Sequence, residues 1–509
     1  MLRFLMNLNL QASLCSFYYM AKSALSNSIY YGIGSLVRSC ASFFLLPLYT
    51  SILGATQYGQ LNVLSTMSII LSTCMTFALE RSLYRLYHDY KTDEEKSEFL
   101  STIFIAINGI GLFVIALSLL FGSYLTPLLG GVDFMTGLLP VILYSYVHAL
   151  ISYCQIIQQA RQDGSKFLFV SILYMLLYNI ICIAFLYLYS PTYHSMVFAT
   201  LIANLLVFPV AFSMIKYQIK FYFSMGILKN VLSFSMPILG MVIFSWVLHF
   251  SDRLFLANMS TLADVGLYSF AAKIVSVVVL FCGAIFKSYT PYFFSVSNKF
   301  TYDETKNRLI PLNETVTFMI CLLCMILALA YNMMLHSIFS SEYQGSIDFF
   351  YFLLIGVVIG QQTGLLNVMI YQNKKSGVLA IVSIVAGVLS VLMNYILIGT
   401  IGRIGAAISN LTISILIFMA NYHLAKNEYY IPFNFKILGS SIVILLVMCL
   451  VDYNIDNVYL QLLTKTLIVY LYVYIVIKSN IIDDVVLKKI LNRSKTKFIK
   501  QMNNGRINH

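Results

Sequence analysis

Three cations stand inside long apolar stretches of this chain: Arg38, Arg253 and Lys273. A charged side chain near the centre of a bilayer-spanning helix costs roughly 2.5–3.5 kcal/mol on insertion scales. Each therefore implies an anionic partner or a water-filled cavity. Arg38 lies about eleven residues into its run, roughly 16 Å deep at 1.5 Å per residue. Its planar fork suits bidentate binding of a pyrophosphate; a tie to an acid or to free carbonyls is the structural alternative. Arg253 and Lys273 are further candidates for an anionic headgroup, with snorkelling or local pairing as the competing roles. Asp252 could neutralise Arg253 or Lys273 in an empty cavity and release it when phosphate arrives. His249, one turn before Arg253, has the titration range for proton coupling, but a hydrogen-bonded packing histidine is the favoured reading. Glu80, Arg81 and Arg85 end an apolar run, where they either gate that side or form a solvated helix end. Cys321 and Cys324 form a CxxC inside an apolar run, which reads as packing rather than redox or metal chemistry.

The elements that must position these groups are membrane helices. Of the 509 residues, 60% are hydrophobic and 10% charged, with a mean hydropathy of +0.83. A soluble globular chain carries about 25% charge. Repeated apolar runs of 18 residues or more exclude that class, and also a β-barrel, whose strands are short and alternating. The expected fold is all-α and polytopic, with about 14 spans: 27–50, 58–80, 99–121, 138–159, 167–189, 195–215, 232–257, 265–289, 313–334, 349–371, 377–398, 404–425, 437–453 and 460–477. Within them Asp252 is the only acid well inside a span. Lys465, near the end of the last span, reads as a snorkelling lysine.

Net charge is +12, and its placement is one-sided: 27 of the 32 basic residues fall in alternate connections and the two ends. The opposite connections hold only Arg403. By the positive-inside rule both termini are cytoplasmic. The opposite connections are also short, leaving no room for an external catalytic domain. Residues 1–22 read as a cytoplasmic extension, with Met20 as an alternative start, and not as a cleaved leader. Residues 479–509 form a basic tail whose 481–500 segment suits an anionic membrane surface; no nucleic-acid partner is expected.

A repeat relates the two halves. Gly59 in Ala55-Thr-Gln-Tyr-Gly and Gly266 in Ala263-Asp-Val-Gly are 207 residues apart. Val170-Ser-Ile172 echoes Val382-Ser-Ile384, and Ala203-Asn-Leu205 echoes Ser409-Asn-Leu411, at similar offsets. An even number of spans per half predicts two six-helix lobes of like topology around a central cavity, 23–220 and 221–430, with two added helices at 431–478.

Three segments carry a family resemblance. Leu45-Leu-Pro-Leu-Tyr49-Thr-Ser-Ile-Leu53 with Tyr58-Gly59 is similar to the first-to-second-span signature of Wzx-type polysaccharide flippases of the multidrug/oligosaccharidyl-lipid/polysaccharide (MOP) superfamily. Phe77-Ala-Leu-Glu80-Arg-Ser-Leu-Tyr-Arg85-Leu-Tyr87 resembles the segment that ends the second span, with Ala78 where glycine is common. Asp252-Arg253 and Val265-Gly-Leu-Tyr268-Ser-Phe-Ala271-Ala-Lys273 match the later pattern. The resemblance implies a non-enzymatic flippase that turns over an oligosaccharide on undecaprenyl pyrophosphate by alternating access at the bacterial inner membrane. It further implies membrane lipids and other polysaccharide-assembly membrane proteins as partners. No cofactor is expected beyond possible coupling to protons or sodium. A cation-coupled multidrug exporter of the same superfamily and a polytopic polymerase or ligase are the alternatives. The first is disfavoured because the deep charge is basic, and the second by the short outer loops.

Overall fold

The computed structural model describes residues 30–478 apart from Ser35 and Arg38, and contains helices and no strand among the described residues. The N-terminal extension and the amphipathic basic tail expected from the sequence lie outside the described residues. Among the described residues, twelve helices are long and apolar enough to cross a membrane. A bent pair precedes them: α1 (Tyr30–Phe44) and α2 (Leu46–Thr76), at 57° to each other. Pro47 explains the bend, since proline starts a helix readily but cannot donate within one. A second break falls at Gly54, whose φ of 66° and ψ of 174° are non-helical. One crossing needs about 20 residues, so the stretch from Tyr30 to Thr76 supplies two, divided near Gly54. Counted so, the total agrees with the expected fourteen.

The chain continues through α3 (Leu79–Leu86), α4 (Asp93–Leu125), α5 (Leu139–Ala160), α6 (Gly164–Leu188), α7 (Tyr193–Ser213), α8 (Met225–Met259) and α9 (Leu262–Ser297). It then forms α10 (Tyr302–Ser337), α11 (Ile347–Gln372), α12 (Ser376–Ile401), α13 (Ile404–Glu428), α14 (Phe435–Asn454) and α15 (Val458–Lys478). Two of the helices that start at the lysine-rich end carry capping boxes. Thr92 and Glu95 close a capping box on α4, Thr301 and Glu304 another on α10. Such caps satisfy N–H groups that the helix itself leaves unpaired. Inside the spans, serine and threonine hydroxyls such as Thr50 and Thr200 donate to carbonyls four residues back. This satisfies them where no water is available.

Contacts divide the chain into two compact units, residues up to Gly266 and residues from Leu267 onward. In the first, α5 is the hub: 61% of its span is buried inside the protein, against 17% for α6. Phe99, Ile103, Leu150, Tyr153, Ile157 and Val207 form its centre. In the second, α11 plays that part at 67%, with α12 peripheral at 28%. Hub and peripheral helices thus occupy matching places in the two halves of the repeat.

The repeat glycines meet. A Cβ on Gly59 would collide with the Leu262 carbonyl oxygen, and one on Gly266 with that of Ala55. Leu262 is itself 207 residues from Ala55. Equivalent positions therefore pack on each other reciprocally, and only glycine permits so close an approach of two backbones.

Candidate functional site

The sequence candidates separate once placed. Asp252 and Arg253 sit in the last two turns of α8, a helix fastened to α2 by the Trp246 indole, which donates to the Thr66 carbonyl at 2.9 Å. Asp252 is buried and Arg253 nearly so, with side-chain exposures of 6% and 13%. The guanidinium lies 3.1 Å from Asp252 Oδ1 and donates to the His249 carbonyl at 3.0 Å. The ring of Phe250 lies 5.3 Å below it. Asp252 thus lies against Arg253. His249 contributes its backbone carbonyl, while its side chain is exposed on the helix. Lys273 stands on α9 in the second unit and is half-buried. No hydrogen bond or ion pair reaches its ammonium among the described residues. Arg38 lies outside the described residues.

Glu80, Arg81 and Arg85 share the short helix α3, yet they face different surroundings. Phe77 and Ala78 both adopt left-handed backbone, with φ of 52° and 54°. That reversal ends α2 and turns the first residues of α3 back toward the unit. Leu79, Ser82, Leu83 and Leu86 bury one face of α3. Arg81 and Arg85 are exposed, and Arg85 pairs with Asp89 at 2.8 Å across one turn. Glu80 instead lines a cavity of about 370 Å³ together with residues of α1, α5 and α6. Its Oε2 is buried without a hydrogen-bond partner. Burial pushes this carboxyl up to about 7, and the charge of Arg81 only partly offsets the effect.

The second unit holds a charge pair that the sequence reading missed. Lys465 is 1% exposed, so it does not snorkel. Its ammonium lies 2.5 and 2.6 Å from the two oxygens of Asp452 and donates to the Ala328 carbonyl at 3.1 Å. Tyr351 donates to Asp452 Oδ2 at 2.5 Å, Asn332 to Oδ1 at 3.4 Å. Asn332 also donates to the Gln461 side chain, which donates to the carbonyls of Ile455 and Asp452. The Asp452 side chain is thus fully enclosed, a buried acid besides Asp252 and Asp264. Its place at the end of a span hid it. The signal available was its spacing from Lys465, one residue either side of a short turn between two apolar helices. Arg403 pairs with Asp348 at 2.7 Å in the same unit. The cysteines Cys321 and Cys324 are buried and free, and no cluster of metal ligands occurs among the described residues.

Comparison with known proteins bears on this arrangement directly. The profile of the polysaccharide biosynthesis protein family matches residues 24–297, more than half the chain and the stretch that contains Glu80, Asp252, Arg253 and Lys273. The chain belongs to the polysaccharide biosynthesis protein family. A Haemophilus influenzae protein of the Lsg locus is 22% identical over 289 residues, which is 53% of this chain and 65% of that relative. The match therefore spans somewhat less than two thirds of the relative's length. Among solved structures, lipid II flippase MurJ in an inward closed conformation aligns with a TM-score of 0.67 at 17% identity, covering 87% of this chain and 99% of that one. An inward-facing multidrug resistance MATE transporter of the MOP superfamily aligns at 0.62 and 14% identity, covering 76% and 95%. These identities establish a shared fold. This family member is a multi-pass membrane protein that shares its helical fold with those two structures.

Proposed function

We propose that the protein is a flippase for oligosaccharide units carried on undecaprenyl pyrophosphate, working by alternating access and without covalent catalysis. The observation that carries this reading is the coincidence of family and charge. The polysaccharide biosynthesis match covers the helices that hold Arg253 and Lys273 at membrane depth. A multidrug exporter for cations would need acids exposed to its cargo, whereas the acid on α8 is already held by Arg253. The one-sided distribution of lysine and arginine supports the inner membrane, with both termini in the cytoplasm. Turnover driven by protons or sodium and contact with other polysaccharide-assembly membrane proteins fit the same reading.

The test is a null strain of the source bacterium. It should lose surface polysaccharide and trap lipid-linked units on the cytoplasmic leaflet. Complementation with Lys273→Ala or Arg253→Ala should restore protein level and insertion but reduce translocation at least about tenfold, the loss expected for one charge-assisted hydrogen bond to phosphate. Units that reach the outer leaflet at a normal rate in the null strain, and remain unpolymerised there, would instead assign the protein to polymerisation.

A further inference from the structure

We propose that the Glu80 cavity of the first unit is a sugar subsite that accepts a neutral or amino sugar of the lipid-linked headgroup and rejects an acidic one. The inference rests on the flippase reading and adds the chemistry of its cargo.

The cavity lies between α1, α3, α5 and α6 at the lysine-rich end of the unit. Its lining combines Glu80, Gln155, Gln159, Ser152, Ser171 and Phe167. A carboxylate and two primary amides, with hydroxyls between them, can match adjacent donors and acceptors on a sugar ring. Phe167 offers an apolar face, and its ring is held edge-on by Tyr31 at 5.2 Å and 89°. An aromatic plane beside convergent polar groups suits a pyranose, which has an apolar C–H face and a polar rim. The helix that carries both amides, α5, is fixed to α6: Gln155 donates to the Ser171 hydroxyl at 3.1 Å in a buried bond. Amide and hydroxyl groups are thereby held in place before any ligand arrives.

Size and charge narrow the occupant. A volume of about 370 Å³ lies at the small end of the roughly 300–1,000 Å³ usual for ligand pockets, which suits a single sugar ring. Glu80 Oε2 is buried in this setting with no hydrogen-bond partner. An unspent acceptor of this kind costs free energy until a donor meets it. A sugar hydroxyl or ammonium supplies that donor. A uronic or sialic carboxylate would place like charge against it, which is how a site excludes a competitor of similar shape. Because the carboxyl is pushed up to about 7, the exclusion should strengthen as pH rises from 6 to 8 and fade below 6, where Glu80 is protonated.

The experiment uses the full-length protein in nanodiscs and three ligands: undecaprenyl pyrophosphate alone, and the same lipid carrying glucose or glucuronic acid. Wild type should bind the glucose form about tenfold or more tightly than the glucuronic acid form at pH 8, with a smaller ratio at pH 6. Glu80→Gln should bring the two within about threefold at both pH values. Phe167→Leu should weaken both glycosylated lipids while leaving the bare lipid unchanged, which also controls for folding. Equal affinities in wild type, or an unchanged ratio in Glu80→Gln, would overturn the subsite. So would binding that depends on replacing sodium by choline and not on the sugar, because that outcome makes the cavity a cation site. Failure of all three lipids to bind would instead overturn the flippase reading itself.

Discussion

Removing either partner of the Lys465–Asp452 pair should cost far more than removing both. All three ammonium protons have acceptors: the two carboxylate oxygens at 2.5 and 2.6 Å and the Ala328 carbonyl at 3.1 Å. Asp452→Asn keeps the shape but only one of the two acceptor oxygens, and leaves a buried ammonium without its counter-charge. Breaking a buried pair from one side costs about 3–5 kcal/mol. Lys465→Met strands the carboxylate instead, but Tyr351 and Asn332 still donate to it. Its cost should therefore fall at the lower end, about 3 kcal/mol. The double variant Lys465→Met with Asp452→Asn leaves no charge and should lie within about 1 kcal/mol of wild type. The coupling energy is then about 5 kcal/mol or more, beyond the roughly 0.5–3 kcal/mol usual for residues in contact. Denaturant titration in mixed micelles measures it, followed by helical circular dichroism and by proteolytic release of the α14–α15 hairpin. The single tryptophan is Trp246 in the other unit, so its fluorescence would not report on this one. Two single variants that each cost less than about 1 kcal/mol and add without coupling would refute the reasoning. That is the behaviour of a solvated surface pair.

Two further outcomes follow from backbone geometry. Gly266→Ala or Gly59→Ala places a methyl group against a carbonyl oxygen of the facing helix, so each should destabilise by about 1–3 kcal/mol or more; thermal unfolding in detergent measures this, and an unaltered midpoint would disprove the close crossing. Ala78 stands at a φ of 54°, where a non-glycine residue is strained by about 1–2 kcal/mol. Ala78→Gly should therefore be neutral to stabilising by up to about 1 kcal/mol, the gain being cut by the greater freedom of glycine in the unfolded chain; clear destabilisation in the same assay would contradict the left-handed turn.

The helices were legible because a bilayer imposes one pattern, a long apolar run, and charges mark its ends. The repeat was legible at Gly59 and Gly266, where a backbone contact demands one residue type. What stayed hidden depended on which groups tertiary packing brings together. Lys465 and Asp452 sit near the ends of separate apolar runs, where a lysine commonly reaches water, and only the packing of α14 and α15 on α10 and α11 encloses them. Glu80 read as a helix end because Arg81 follows it. The left-handed pair Phe77 and Ala78 sends the two neighbours in opposite directions, one to a cavity and one to the surface. Ala78, the departure from the glycine common in the family, falls on that turn.

How fully a buried charge is satisfied then separates scaffold from site. Every proton of the Lys465 ammonium is matched within its own unit, so nothing is gained there by admitting a ligand, and the pair acts as a clamp on the C-terminal hairpin. Arg253 is bound differently. It contacts Asp252 and the His249 carbonyl on its own helix, and its charge also acts on Tyr58 of α2. Lys273 has neither hydrogen bond nor ion pair among the described residues, and Glu80 keeps one buried oxygen unspent. A membrane interior makes such incomplete pairing costly. On the flippase reading proposed above, Lys273 and Glu80 are the groups left for a ligand to complete: a cation for a phosphate, and a carboxylate for a sugar hydroxyl. The two ends of a lipid-linked headgroup carry those two chemistries.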